Sequence, residues 1–188
     1  MLFTADTHFG HGGALGLFRR PFPSVVAMDE ALVKAWNAAV APADTVWHLG
    51  DFAVRASADR VADLLGRLNG TKHLIAGNND GETARACAGW ASVRDYAELT
   101  DDETGRRLVL CHYPLRSWNG MGKGAINLHG HCHGRMAPLT RQFDVGVDAR
   151  DFRPVTAAAL LVGGRRSRQA ASGSSVNSSS GRRTPRSA

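Results

Sequence analysis

The sequence has few cysteines and no long apolar run, and each shortage excludes a class of protein. Its three cysteines, Cys87, Cys111 and Cys132, are odd in number and irregularly spaced, which argues against a disulfide framework. No stretch approaches the roughly 18 apolar residues that a membrane-spanning helix needs. The opening segment MLFTADTHFG lacks the basic start and the apolar stretch of a secretory signal. We therefore expect a cytoplasmic protein that does not enter a membrane.

Acidic charge is missing near the C-terminus. The net charge is +6, and residues 164–188 contain six arginines with no lysine and no acid, so residues 1–163 are formally neutral. This segment is rich in serine, glycine and arginine, and it has too few apolar residues to offset the entropy lost on folding. We predict one folded domain over residues 1–163 and a disordered basic tail over 164–188. The tail arginines either contact nucleic acid weakly or form a solvated extension without a dedicated role.

The predicted domain alternates short apolar runs with amphipathic segments. Met1–Ala5, Thr45–Leu49 and His73–Ala76 are apolar runs that stop at polar turns, as strands do. Apolar residues recur at helical spacing over residues 25–40 and 57–68, and a serine suited to the N-cap position stands at the start of each segment. This order predicts a layered α/β fold, in which ligands collect where strands end.

The second half of the domain is richer in predicted strands. Trp90–Leu99 and Arg106–Cys111 flank the turn-like sequence TDDETG and predict a hairpin. Ala125–Leu128 and Arg141–Val147 are further predicted strands, and residues 154–162 are a predicted short helix. The pattern favours layers of sheet and helix over a barrel.

Side chains suited to metal binding cluster where the predicted strands end. Carboxylates, imidazoles and an amide occur beside glycines in five segments: Asp6-Thr7-His8, Gly50-Asp51, Gly77-Asn78-Asn79-Asp80, Cys111-His112 and Gly130-His131-Cys132-His133. Each segment is weak evidence alone, but together they supply ligands for two divalent ions, which can acidify a bridging water and polarise a phosphoryl group. Imidazole ligands suit first-row metals, whereas an all-oxygen site would suit Mg or Ca. Mn is our first expectation, with Fe, Ni and Zn as alternatives.

The order of these motifs, DxH, GD, GN, H and GHxH, resembles the calcineurin-like metallophosphoesterase superfamily. The segments TADTHFGH, RPF at 20–22, MDEAL…WN at 28–37 and HLGD at 48–51 are similar to its short stand-alone bacterial members. The resemblance implies a β-sandwich of two mixed sheets flanked by helices. It also implies two metal positions that share Asp51: the first is held by Asp6, His8, Asp51 and His133, and the second by Asp51, Asn78, His112 and His131.

One position departs from the family pattern. Many members have histidine where this chain has Asn79, and that histidine is thought to protonate the leaving alkoxide or to contact the phosphate. An amide cannot act as that acid. Either another group supplies the proton or the leaving group is good enough to need none. His11, on the glycine-rich loop FGHGG, is the candidate substitute, and a surface histidine is the alternative.

Other residues near the motifs are candidates for binding the substrate or supporting the site. Arg19 and Arg20 are expected to bind the substrate phosphate, unless they form a solvated pair at the end of a loop. Asn78 is expected to contact substrate as well as metal. Asp80 is expected to orient a ligand histidine by accepting its hydrogen bond.

The resemblance and Asn79 together favour hydrolysis of a phosphodiester by a metal-bridging hydroxide. A cyclic nucleotide, a 2′,3′-cyclic phosphate or a nucleic-acid end are the expected substrate classes, because a strained or phenolic ester needs less help from an acid. The alternatives are a phosphomonoesterase of the same fold, a weakly active protein-binding scaffold, and a nucleic-acid binder that acts through its tail. The sequence predicts no particular oligomeric state.

Overall fold

The computed structural model describes residues 1–137 and 139–162, and these residues form two four-stranded sheets flanked by helices. The predicted disordered tail lies outside the described residues, as does Pro138. None of the helices in the described part of the chain has the length and apolarity needed to cross a membrane.

The first sheet contains the strands predicted in the first half of the chain. Its order is β1-β2-β3-β4 with all neighbours parallel, and the strands are β1 Leu2–Thr4, β2 Thr45–His48, β3 Thr71–Ile75 and β4 Ser92–Arg94. Phe3 also pairs with Val155 in an antiparallel bridge, so antiparallel pairing enters this sheet there. The intervening helices are α1 Gly13–Leu17, α2 Val25–Ala39, α3 Ala58–Arg67 and α4 Glu82–Arg85.

Serine side chains begin the two longer helices, as predicted. Ser24 accepts a hydrogen bond from the Ala27 amide at 3.1 Å, and Ser57 accepts one from the Arg60 amide at 3.3 Å. Each hydroxyl satisfies one of the amides that lack a partner in the first turn of a helix. The predicted helix over 154–162 is shorter in the structure, where residues 157–162 are helical, because Val155 takes part in the bridge to β1.

The second sheet has the order β5-β6-β7-β8. It is mixed, because the β5–β6 pair is antiparallel and the other two pairs are parallel, and its strands are β5 Tyr96–Thr100, β6 Arg107–Cys111, β7 Ile126–His129 and β8 Gln142–Asp144. The predicted hairpin forms, but its first strand was predicted too long. Residues 92–94 belong to the first sheet, and the chain passes to the second sheet at Asp95.

Apolar side chains alternate along the strands and divide the interior into layers. Phe3, Trp47 and Ile75 of the first sheet pack against Leu108 and Leu110 of the second, between the two sheets. The neighbouring residues on the first sheet point the other way, toward α2 and α3; they are Leu2, Val46 and Leu74. This packing fixes the two sheets relative to each other, and therefore also the loops at their strand ends.

Candidate metal centre

The expected ligand residues lie where strands of both sheets end. Asp6, Asp51 and Asn78 follow the parallel strands β1, β2 and β3, whose carboxyl ends meet at one edge of the first sheet. His112 directly follows β6, and His131 lies two residues after β7. Both sheets therefore contribute side chains to one cluster.

Two groups of donor atoms form within this cluster. Ligand atoms of Asp6, His8 and His133 lie within 4.8 Å of one another, and so do those of Asp6, Asp51 and His112. Asp51 faces both groups, because its Oδ2 is 3.5 Å from His8 Nε2 and its Oδ1 is 3.6 Å from His112 Nε2. Asp6 belongs to both groups, and Asp51 lies between His8 and His112.

An amide oxygen connects two further residues to the second group. Asn78 Oδ1 lies 3.0 Å from His112 Nε2 and 3.0 Å from His131 Nδ1. Asn78 and His131 are exposed, whereas Asp6 and His112 are buried, so the cluster opens to solvent on the side of Asn78 and His131. The structure thus brings together all seven residues that the resemblance assigns to the metals.

The backbone at most of these residues adopts a conformation that side chains rarely take. Positive φ angles of 49–67° occur at five of the seven expected ligands: Asp6, His8, Asp51, His131 and His133. Such conformations cost about 1–3 kcal/mol each and concentrate at functional sites. Backbone hydrogen bonds hold two of them, from the Asp6 amide to the Gly50 carbonyl at 2.9 Å and from the His8 amide to the Asp51 carbonyl at 3.0 Å.

Glycines let the ligand loops approach one another. Gly50 has a φ of 93°, and a Cβ atom there would lie 2.5 Å from His112 Nδ1. A Cβ atom on Gly77 would lie 2.4 Å from Asp51 Oδ1 and 2.6 Å from the Asp51 amide nitrogen. Both contacts are too short for any side chain, so these two positions require glycine.

Replacing Gly77 by alanine is therefore expected to destabilise the fold by about 1–3 kcal/mol, because the new methyl group must displace the Asp51 loop. Thermal or urea unfolding of the purified variant measures this change. Gly66→Ala is the matched control, because a Cβ at this α3 position meets nothing within 4 Å. We expect the control to be as stable as the parent or up to about 1 kcal/mol more stable. Equal stability of the Gly77 variant and the parent would contradict the close approach.

Some side-chain atoms of the expected ligands are buried without a hydrogen-bond partner among the described residues, including Asp6 Oδ2 and His8 Nε2. Burial raises the pKa of Asp6 well above its ordinary value, because a carboxylate is poorly stabilised away from water. Burial also lowers the pKa of His8 to about 3, so this imidazole is neutral and can donate a lone pair. A bound cation would satisfy both side chains, so the donor set fits divalent metal ions.

Two of the expected ligand histidines are oriented by acceptors outside the cluster. His112 Nδ1 donates to the Leu49 carbonyl at 2.8 Å, and His133 Nδ1 donates to Asp148 Oδ2 at 2.7 Å. A carbonyl and a carboxylate can only accept, so Nδ1 of each ring carries a proton and Nε2 is the nitrogen left to bind a metal ion. Both rings are thereby prepared to bind metal through Nε2.

Residues 79 and 80 support Asp51 in a way that the sequence did not predict. The Asn79 amide and Asn79 Nδ2 donate to the two carboxylate oxygens of Asp51 at 2.8 and 2.6 Å. Burial alone would raise the pKa of Asp51, but these hydrogen bonds and the neighbouring histidines outweigh it and lower the pKa. Asp80 accepts the amides of Asp51, Phe52 and Gly77 at 2.7–2.8 Å. The expectation that Asp80 orients a histidine is wrong, because its oxygens bind backbone amides of two ligand loops.

Comparison with known proteins identifies the family. A family model described as calcineurin-like phosphoesterase matches residues 1–154. The chain belongs to the calcineurin-like phosphoesterase family. Members act on phosphoester substrates and depend on metal ions, so this protein is a metal-dependent phosphoric ester hydrolase. The two donor groups are its candidate metal-binding residues.

Similar proteins match this phosphoesterase over most of their length. Uncharacterized protein MJ1445 of Methanocaldococcus jannaschii is 32% identical over 162 residues, which cover 81% of this chain and 84% of the relative. Gene 66 protein of Mycobacterium phage L5 is 30% identical over 178 residues, which cover 78% of this chain and 86% of the relative. The solved structure of a protein of unknown function, AQ665 from Aquifex aeolicus, has a TM-score of 0.67 at 21% identity and covers 85% of this chain and 96% of its own. The layered fold is therefore shared.

Three residues expected near the substrate lie in different surroundings within the phosphoesterase. The Arg20 guanidinium is fully buried and bonded to protein acceptors, so the expectation that it binds substrate phosphate is wrong. Arg19 is exposed and stays a candidate for that contact. His11 is half-buried beside the cluster, with its Nδ1 3.3 Å from His8 Nδ1. Burial and the charges of Arg20 and Arg55 lower the pKa of His11.

Two residues that the sequence did not indicate contact His133. Asp148 accepts the hydrogen bond from His133, and Phe18 stacks on the His133 ring with 3.5 Å between ring centroids. Asp148 follows β8 in the segment DVGVDAR, so its place after a predicted strand could have marked it. Phe18 has no comparable sequence pattern, because its contact depends on how the loop between α1 and α2 folds over the site.

Proposed function

We propose that this calcineurin-like phosphoesterase hydrolyses phosphodiesters with two divalent metal ions, of which Mn is the first expectation and Fe, Ni and Zn are alternatives. The observation that carries the proposal is the position of Asp51, whose Oδ2 faces His8 in one group of donor atoms and whose Oδ1 faces His112 in the other, while Asp6 belongs to both groups. A single ion would need only one of these groups. Two groups around one carboxylate favour a binuclear centre.

The proposed division of ligands is the one that the family resemblance implies. Asp6, His8 and His133 would hold one ion and Asn78, His112 and His131 the other, with Asp51 between them. When bound, the ions would acidify a water molecule and polarise the phosphoryl group. The described side chains serve this chemistry by their orientation: His112 and His133 are fixed by hydrogen bonds from Nδ1, and Asp51 is held by the two donors of Asn79.

The preference for diesters rests on the group at position 79. The Asn79 amide already donates to Asp51, and an amide supplies no proton to a leaving alkoxide. Cyclic nucleotides, 2′,3′-cyclic phosphates and nucleic-acid ends are therefore the proposed substrates, with exposed Arg19 as the proposed phosphate contact and Asn78 at the open side of the cluster. His11 is the proposed proton donor for substrates that need one.

The test compares bis(4-nitrophenyl) phosphate with 4-nitrophenyl phosphate in the presence of Mn²⁺, because the two esters share a leaving group. We expect a higher kcat/KM for the diester. A clear bias toward the monoester would favour a phosphomonoesterase instead. Elemental analysis of the purified protein separates both from an inactive scaffold, which would contain no transition metal at near-neutral pH. Repeating the assay with Fe, Ni and Zn identifies the preferred ion.

The basic tail is proposed to contact nucleic acid without taking part in the chemistry. Ending the chain at residue 163 removes six arginines and no acid, so we expect weaker binding to nucleic acid and a smaller dependence of affinity on salt. Fluorescence anisotropy with a labelled oligonucleotide over a series of salt concentrations measures both. Hydrolysis of bis(4-nitrophenyl) phosphate is the control and should be unchanged. A loss of this hydrolysis on truncation would contradict the proposal.

A further inference from the structure

A buried arginine joins three parts of the chain next to the metal cluster. The Arg20 side chain is 0% exposed, and its Nη1 and Nη2 donate to the carbonyls of Thr7 at 2.8 Å and Asp6 at 2.6 Å. Its Nε and Nη2 also donate to the two oxygens of Asp148 at 2.9 and 2.8 Å. The planar guanidinium therefore binds the Asp6 loop and the Asp148 carboxylate at the same time.

The Asp148 carboxylate links Arg20 to His133, one of the expected ligands. Its Oδ2 accepts from Arg20 Nη2 and from His133 Nδ1, the second at 2.7 Å. Phe18 stacks on the His133 ring, and the Arg20 guanidinium carbon lies 5.4 Å from the centre of the Phe18 ring. The ring of His133 is thus held in its plane by Phe18 and along its Nδ1 direction by Asp148.

The network orients the side chain of only one of the two donor-group histidines that bind an acceptor through Nδ1. Arg20 reaches the backbone of Asp6, which belongs to both donor groups, and, through Asp148, the ring of His133, which belongs only to the group with His8. In the other group, His112 is oriented by the Leu49 carbonyl, and Asn78 Oδ1 lies beside His112 and His131. A change at Arg20 or Asp148 should therefore affect the two metal positions unequally.

We propose that Arg20 and Asp148 are positioning residues that set the metal affinity of the group formed by Asp6, His8 and His133. The inference rests on the proposed binuclear centre. Asp148 keeps the His133 proton on Nδ1, so that Nε2 carries the lone pair, and Arg20 offsets the burial of the carboxylate while holding the Asp6 loop in place. Partners of this kind typically change metal affinity by about 10–100-fold when they are removed.

The test is a titration of the metal-free Asp148→Asn variant with Mn²⁺. Calorimetry and the electron paramagnetic resonance signal of free Mn²⁺ monitor the binding. Asparagine keeps the shape of the side chain but loses the charge. We expect one of two binding steps to weaken by about 10–100-fold while the other is unchanged. Asp101→Asn is the matched control: Asp101 is also buried, and it accepts from Thr104 in the β5–β6 turn. Both binding steps should be unchanged in this control.

Arg20→Lys is the second variant, and it tests the same inference if the Asp148 variant does not fold. Lysine keeps the charge but cannot make the paired contact, so the same step should weaken. Thermal unfolding without metal verifies the fold of each variant. Unchanged affinity, or equal weakening of both steps, would overturn the inference and leave the binuclear proposal standing. Failure of the parent protein to bind any metal would overturn both.

Discussion

Replacing Asp51 by asparagine is expected to abolish hydrolysis of phosphodiesters. The two oxygens of Asp51 face His8 on one side and His112 on the other, so its replacement removes a negative ligand from each proposed metal position. We expect kcat/KM for bis(4-nitrophenyl) phosphate with Mn²⁺ to fall by at least about 10³-fold, beyond the 10²–10³ that the loss of a single stabilising donor costs. The metal content of the purified variant should fall as well.

The control for this result is a change of charge elsewhere in the same fold. Asp63→Asn alters an exposed carboxylate on α3 that pairs with Arg60, and its kcat/KM should equal that of the parent. An Asp51→Asn variant that retains a tenth of the parent activity would contradict the shared-carboxylate interpretation. So would a variant that binds both ions as tightly as the parent.

Replacing His11 by glutamine is expected to lower activity selectively, according to the leaving group. With Asn79 unable to donate a proton, hydrolysis of a dinucleotide, whose leaving group is an alkoxide, should slow by about 10²–10⁴-fold. Hydrolysis of bis(4-nitrophenyl) phosphate should change little, because nitrophenolate leaves without protonation. Although burial lowers the pKa of His11, an approaching phosphoester anion favours the protonated ring. Steady-state kinetics with the two substrates measures the difference.

His73 offers a matched histidine away from the cluster. It lies on β3, stacks on Trp47 with 4.6 Å between ring centroids, and its Nδ1 lies 2.8 Å from Ser92 Oγ. His73→Gln should leave the ratio of the two rates unchanged. If His11→Gln slows both substrates equally, His11 does not act as an acid, and its contact with His8 would explain the loss.

Sequence patterns predicted the helices and strands whose ends depend on residues that are close in sequence. The serines before α2 and α3 cap those helices within three residues, and the apolar runs of β1, β2 and β3 end at polar turns in the structure as in the prediction. Three of the expected ligands, Asp6, Asp51 and Asn78, converge because parallel strands end at the same edge of a sheet. Their roles as ligands remain a prediction from the resemblance.

Contacts between distant segments could not be predicted in this way. Arg20 and Arg19 looked alike in sequence, and only the fold brings Asp148, 128 residues away, against one of them. The division of residues 90–99 between two sheets could not be predicted either. Both halves have strand-like composition, and the packing of the layers decides where each half pairs. The role of Asp80 was predicted wrongly because its carboxylate oxygens accept hydrogen bonds from backbone amides of a loop that is distant in sequence.

The expected ligands come from the strand ends of two stacked sheets, and this has a consequence for folding. Residues as far apart as Asp6 and His133 must meet before the donor set exists, so the centre forms only after the slow, long-range pairing of both sheets is complete. Ions that bind only this assembled state would add about 2.7 kcal/mol of stability at a concentration 100 times the dissociation constant. The supply of metal in the cell would then govern how long the folded chain survives proteolysis, in addition to how fast it turns over substrate.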